Sequence, residues 1–143
     1  MTFPVILTGK ITHGRHLATG FGMPTANTNP VEDTSDLARG VYYSVITVDE
    51  NDYPAITNLG IRPTVSDDGR VNAETFIYGY TGDLYGKIAK IKLIGYRRAE
   101  RRFDSTEELF LTIADDIRAG ADFHQLPEDA LPASLISSSM ASV

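Results

Sequence analysis

Gly40-Val41-Tyr42-Tyr43-Ser44-Val45-Ile46-Thr47-Val48, then Asp49-Glu50-Asn51-Asp52, then Tyr53 to Leu59: this stretch decides the reading of the fold. Aromatic and β-branched residues crowd the first run, and such side chains fit a pleated, half-buried surface. The four polar residues supply a hairpin turn, and the chain returns as a second strand that breaks at Gly60. Working outward, Val5 to Thr12 reads as a strand ending at His13-Gly14. Downstream, Asp67-Asp68-Gly69 is a turn, and Glu74 to Tyr78 and Lys87 to Tyr96 are two further strands joined through Thr81-Gly82-Asp83. The periodicity changes at Asp104-Ser105, because Ser105 with Glu108 three residues later forms a capping box at a helix start. Leu109, Ile113 and Ile117 recur every four residues, Phe110 and Ala114 widen that apolar face, and Gly120 is a suitable stop.

Five or six short strands with hairpin-length turns, followed by one helix, predict a mainly β fold: a small closed antiparallel barrel with the helix lying across it. A two-layer sheet with a covering helix is the alternative. One domain is expected over residues 1–125. From Leu126 the chain carries Pro127, Pro132 and Ser137 to Ser139, and residues 126–143 read as a loosely attached or disordered tail.

Composition narrows the function classes. The 143 residues include no cysteine and three scattered histidines, which excludes a disulfide framework and a thiolate or zinc site. Any metal is therefore held by oxygen. No apolar run approaches the roughly 20 residues that cross a bilayer, and the N-terminus lacks the marks of a secretory signal, so a cytoplasmic location without membrane attachment is expected. The net charge of −6 argues against nucleic acid as a partner. That average hides a basic segment: seven of the thirteen Lys and Arg lie between Lys87 and Arg102, against one acid, Glu100. Lys90 and Lys92 read as the wet face of a strand. Arg97, Arg98, Arg101 and Arg102 follow at its end, where loops carry function, and form a patch that could receive an anion.

Gly22-Met23-Pro24-Thr25-Ala26-Asn27 combines a flexible glycine, a stiff proline and two oxygen-bearing side chains. If the stretch is extended, Thr25 and Asn27 share a face, and such oxygens suit Mg²⁺, which takes few protein ligands beside phosphates and water. A turn leading into an ordinary strand is the simpler reading. Glu74 opens an aromatic and β-branched strand; a carboxylate beside such residues is drier and a better general base, although an exposed strand-end glutamate has the same local sequence. No P-loop and no nucleophilic-serine elbow is present.

Together these segments resemble a known family. Gly9, His13-Gly14-Arg15, Gly22 to Asn27, Gly40-Val41-Tyr42 and Asn58-Leu59-Gly60-Ile61-Arg62-Pro63-Thr64 resemble the riboflavin kinase family in order and spacing. Glu74-Thr75, Asp83-Leu84-Tyr85-Gly86, Arg98-Ala99-Glu100 and Phe103-Asp104-Ser105 continue the likeness, which covers roughly residues 5 to 118; linked motifs of this kind are far more specific than any one alone. The resemblance implies a six-stranded Greek-key barrel with a C-terminal helix that phosphorylates the ribityl 5′-hydroxyl of riboflavin, using ATP and Mg²⁺, to give FMN. It implies Thr25 and Asn27 as metal and phosphate ligands and Glu74 as the proton acceptor. Gly14, Thr19 and Gly22 would belong to the loop over the nucleotide, and Arg98, Glu100 and Phe103 to the flavin side. Leu17-Ala18-Thr19-Gly20-Phe21 departs from the family's arginine-glycine pair in that loop, and Ala99 stands where the family has proline. A monomeric stand-alone kinase, or an excised kinase module that makes no FAD, is expected. A barrel that binds flavin or nucleotide without catalysis is the alternative.

Overall fold

A computed structural model describes residues 2–12, 22–61, 71–133 and 135. Six strands form β1 (Val5–Thr12), β2 (Thr25–Thr28), β3 (Gly40–Val48), β4 (Asn51–Ile61), β5 (Val71–Ile77) and β6 (Ile88–Ala99). All pairings are antiparallel, and the order β1-β2-β5-β4-β3-β6 closes on itself. The expected barrel is therefore present, and each described strand has a neighbour on both sides. Helix α1 (Thr106–Phe123) follows, and a single 3₁₀ turn (Glu128–Ala130) comes after it.

Period-two alternation sorts the side chains between two cores. Leu7, Ile11, Tyr42, Ile46, Leu59, Ile77, Ile91 and Leu93 fill the barrel, interleaved with Ala26, Ala55, Ala73 and Ala89, whose small size fits a narrow interior. Three buried hydroxyls cross that interior as a chain, Ser44 to Thr57 at 2.8 Å and Thr57 to Thr75 at 3.0 Å. They satisfy one another, so the polar atoms cost little where unpaired ones would be expensive. The second core lies outside the barrel. Ile56 and Phe76, on the outer face of β4 and β5, pack against Ile113, Ala114, Ile117 and Ala121 of α1.

The Ser105 side chain accepts from Glu108 N at 3.0 Å, so the helix starts where its capping box indicates. Its end differs from expectation. Gly120 does not stop the helix, which runs on to Phe123; a Cβ at Gly120 would sit 2.2 Å from Tyr78 Oη and 2.5 Å from Ile56 Cγ2. This glycine is there for close approach of helix to barrel. Strand limits shift as well. The hairpin turn narrows to Asp49 and Glu50, both at positive φ, and β4 continues through Gly60 because it stays paired with β5 as far as Ile61. The start of the tail is not loose: Leu126 and Leu131 pack against the outer core, and Leu135, 3% exposed, belongs to it.

Candidate active site

Backbone alternation places the first two candidates. Ala26 and Ala73 point into the barrel, so their neighbours Asn27 and Glu74 point out, and the register sets these two directly opposite each other. Glu74 pairs on its other side with Asn58 of β4, Asn58 with Val41 of β3, and Val41 with Arg98 of β6. One row therefore crosses five strands: Asn27, Glu74, Asn58, Val41, Arg98. Glu74 and Arg98 are three strand steps apart along this row, each step about 4.8 Å measured around the barrel wall.

Glu74 is mid-strand and 4% exposed, which removes the exposed strand-end reading. Thr75 beside it is locked inward by the hydroxyl chain, and that fixes Glu74 on the opposite face. Asn27 is 2% exposed; its Oδ1 accepts from Asn72 Nδ2 at 3.3 Å, and its Nδ2 is buried with no partner among the described residues. Thr25, half-buried, lies two residues along the same face. Thr25, Asn27 and Glu74 thus offer hard oxygens at one place, while the unused Asn27 Nδ2 is an N–H donor that suits an anionic oxygen such as a phosphate's rather than a metal. The oxygens suit Mg²⁺ held by few protein ligands. Among the described residues no cluster of three His, Cys, Asp or Glu competes with it.

A pocket opens along the same row, between the barrel and α1. Val41, Ile56, Asn58 and Phe76 form its floor, and Arg98, Phe103, Leu109, Ile113 and Asp116 its far wall. Apolar walls with a few polar groups are the usual make-up of a small-molecule site. Phe103, a flavin-side candidate, lies in it, with the Arg101 guanidinium 5.1 Å from its ring centre. Glu100 does not line the pocket. Its backbone N–H donates to Arg39 O at 3.4 Å, and its carboxylate lies over Gly60, where a Cβ would come within 2.8 Å of Oε1.

The arginines are placed by a feature invisible in the sequence. β6 extends to Ala99, so Arg97 and Arg98 belong to the strand rather than to a loop after it. The β3–β6 register slips between Val41 and Tyr42, where Tyr96 and Arg98 are the partners and Arg97 is skipped. Such a bulge re-aims side chains, and it lets two consecutive residues reach one acceptor. Asp116 Oδ1 accepts from Arg97 Nε and Arg98 Nε, both at 2.9 Å, and Oδ2 accepts from Arg98 Nη2 at 2.7 Å. Burial works against the Arg97 charge, but its bonds to Asp116 and Tyr43 prevail and hold its pKa above the ordinary value. Arg101 pairs with Glu108 at 2.6 Å. Three of the four arginines read as an anion-receiving patch are therefore already matched by acids of α1. Gly40 permits the approach behind Arg98: at φ +140°, a Cβ there would fall 2.1 Å from Arg98 O.

Asp116 was not anticipated from the sequence, although it lies three residues after Ile113 and one before Ile117 on the apolar stripe. An acid in that position is a signal for a buried partner. Gly22 is described, at φ +69°, whereas Gly14 and Thr19 lie outside the described residues.

Barrel, covering helix and row of polar groups beside an apolar pocket define a closed six-stranded antiparallel β-barrel with a pocket of small-molecule make-up under its helix. The Flavokinase family model, described as riboflavin kinase, matches residues 1–124, and the chain belongs to the riboflavin kinase family. It is 34% identical over 116 residues to a bifunctional riboflavin kinase/FMN adenylyltransferase of Pseudomonas fluorescens, covering 81% of this chain and 37% of that protein. It is 31% identical over 111 residues to the riboflavin kinase of Homo sapiens, covering 75% of this chain and 72% of that one. A riboflavin kinase structure from Trypanosoma brucei superposes with a TM-score of 0.61 at 23% identity, covering 90% of this chain and 85% of that one, a likeness of fold. The chain thus spans under two fifths of the length of the bifunctional relative. No helix among the described residues is long and apolar enough to cross a membrane.

Proposed function

We propose that this chain transfers the γ-phosphoryl group of ATP to the ribityl 5′-hydroxyl of riboflavin, giving FMN and ADP. The observation that carries the reading is that Asn27 and the buried Glu74, paired across β2 and β5, share one row with Asn58, Val41 and Arg98, the three row members that line the apolar pocket. Asn58 both pairs with Glu74 and lines the pocket, an arrangement that suits an elongated substrate whose ring lies in the pocket and whose reactive hydroxyl reaches out of it. The ring would enter between Phe103 and the apolar side chains of α1, with Arg98 and Asn58 offering hydrogen bonds to its edge. The ribityl chain would then run along the row towards Glu74.

Glu74 takes the proton of the 5′-hydroxyl as that oxygen forms its bond to phosphorus and the bond to ADP breaks. Thr25 and Asn27 would hold Mg²⁺ together with the phosphates, and the ion would neutralise charge on the phosphoryl oxygens. Most of the catalysis in such a transfer is positioning, and two paired strands supply it: β2 carries the phosphate side, β5 the base. In this reading nucleic acid is not a partner, since three of the four arginines are spent on acids of α1.

The test is incubation with riboflavin and Mg·ATP, with chromatography for FMN, repeated without Mg²⁺ and with Glu74→Gln. FMN formation that needs both supports the reading. Riboflavin binding with no FMN under any condition would replace it with a non-catalytic flavin-binding barrel.

A further inference from the structure

We propose that the C-terminal segment of residues 126–133, together with Leu135, is a positioning element for the nucleotide side of the site, bracing Met23 and Pro24 and through them Thr25 and Asn27. The inference rests on the reading of Thr25 and Asn27 given above.

The family match ends at residue 124, so this segment lies beyond what the match covers. It is nevertheless built into the fold. Gln125 at φ +56° turns the chain back, and Leu126 N donates to Ala121 O at 2.9 Å, closing the helix end. The 3₁₀ turn and the Leu135 N to Pro132 O bond of 2.9 Å then carry the chain across the outer core. Leu126 and Leu131 pack on that core, and Leu135 joins the buried cluster that contains Met23, Phe76, Tyr78 and Ile117. Ala130, Leu131 and Pro132 face Gly22, Met23 and Pro24 across one cleft floored by Ile77, Tyr78 and Gly79.

β2 needs such support because it is short and unevenly held. It has four residues, and among the described residues β1 pairs with Asn27 and Thr28 only, while Thr25 and Ala26 are paired from the β5 side. Before Thr25, Pro24 O accepts from Ile77 N at 3.0 Å, and Met23, 8% exposed, is the side chain fastened in the outer core. The tail supplies part of that fastening. A small displacement of a ligand-bearing strand is enough to spoil a phosphoryl-transfer geometry.

The experiment uses the full chain with Leu131→Ser and Leu135→Ser, singly and together, beside Leu135→Met and Asn27→Ala. The double variant is expected to raise the KM for Mg·ATP on the order of tenfold. Riboflavin binding, followed by quenching of its fluorescence, should stay within about twofold of the parent, and Leu135→Met should behave as the parent. If the double variant does not fold, the milder Leu131→Ala carries the same comparison at a partly exposed position. An unchanged KM for Mg·ATP, or equal shifts for both substrates tracking a lowered melting temperature, overturns the brace and leaves the tail a seal on the helix. Should Asn27→Ala leave the KM for Mg·ATP unmoved, the underlying reading of Asn27 fails and the brace fails with it. Should Asn27→Ala raise it while the leucine variants do not, only the brace is wrong.

Discussion

Asp116 of α1 holds the Arg98 guanidinium with both carboxylate oxygens, at 2.9 Å from Nε and 2.7 Å from Nη2, while it is itself 3% exposed. The same carboxylate takes Arg97 Nε, so one buried charge joins the helix to two residues of β6. Removing it leaves two guanidinium groups facing the core, about a quarter exposed each. Losing one partner of a fully buried pair costs about 3–5 kcal/mol, and partial access to water lowers that here to about 2–3 kcal/mol. Asp116→Ala should lose that much in urea unfolding and should also weaken riboflavin binding, because Arg98 is no longer aimed along the pocket. Parental stability would mean that the pair contributes nothing.

Glu74→Gln keeps the shape of the side chain and removes its capacity to accept a proton. General-base loss of this kind lowers kcat by about 10²–10⁴-fold, and riboflavin affinity should hold. Turnover close to the parent's would take Glu74 out of the base role.

Asn27→Ala removes one oxygen from the proposed metal site. The Mg²⁺ concentration for half-maximal activity should rise on the order of tenfold, equivalent to about 1.4 kcal/mol. A metal titration that overlays the parent's would show that Asn27 is not a ligand.

Gly120→Ala sets two effects against each other. Alanine improves helix propensity by about 1 kcal/mol. The new Cβ, however, meets Tyr78 Oη at 2.2 Å, and that hydroxyl donates to Ile117 O at 2.6 Å. Overpacking costs about 1–3 kcal/mol and a displaced hydrogen bond about 1 more, so the variant should be less stable by about 1–3 kcal/mol net and melt at a lower temperature. A higher melting temperature would mean the helix shifts freely on the barrel.

Glu32 gives stability an acid-side dependence. Burial is the largest single influence and raises its pKa, but the hydrogen bonds it accepts from Thr8, whose N–H donates to Oε1 at 2.6 Å, and from its own backbone together outweigh burial and hold the carboxyl below its ordinary 4.5. A pKa lower in the folded state means a contribution fully present above 4.5 and lost as pH falls through the folded value. Glu32→Gln, with a weaker neutral acceptor, should be less stable than the parent at neutral pH, and the gap should narrow at an acid pH below 4.5. Denaturation midpoints at the two pH values decide it; a gap that persists in acid would rule the mechanism out.

How far the sequence reaches depends on how local each signal is. Val5 to Thr12 and Val41 to Val48 are strands in both readings, because alternation and β-branching act between near neighbours. Ser105 with Glu108 marks the helix start for the same reason. The motif residues Thr25, Asn27 and Glu74 were recognisable as chemistry, yet nothing local says that Asn27 and Glu74 are opposite each other. That follows from β2 pairing with β5 across a long intervening chain.

Composition and periodicity by themselves determined a cysteine-free chain of short strands and one capped helix, with oxygen-bearing candidates in two segments. Only the tertiary structure decided that the row closes beside an apolar pocket, that Asp116 is a buried tie rather than a solvated helix acid, and that Gly120 lets the helix in rather than ending it. The reason is physical: hydrogen bonds within a turn or a cap depend on residues a few positions away, whereas burial and close approach depend on which surface faces the residue. That surface exists only once the barrel has closed.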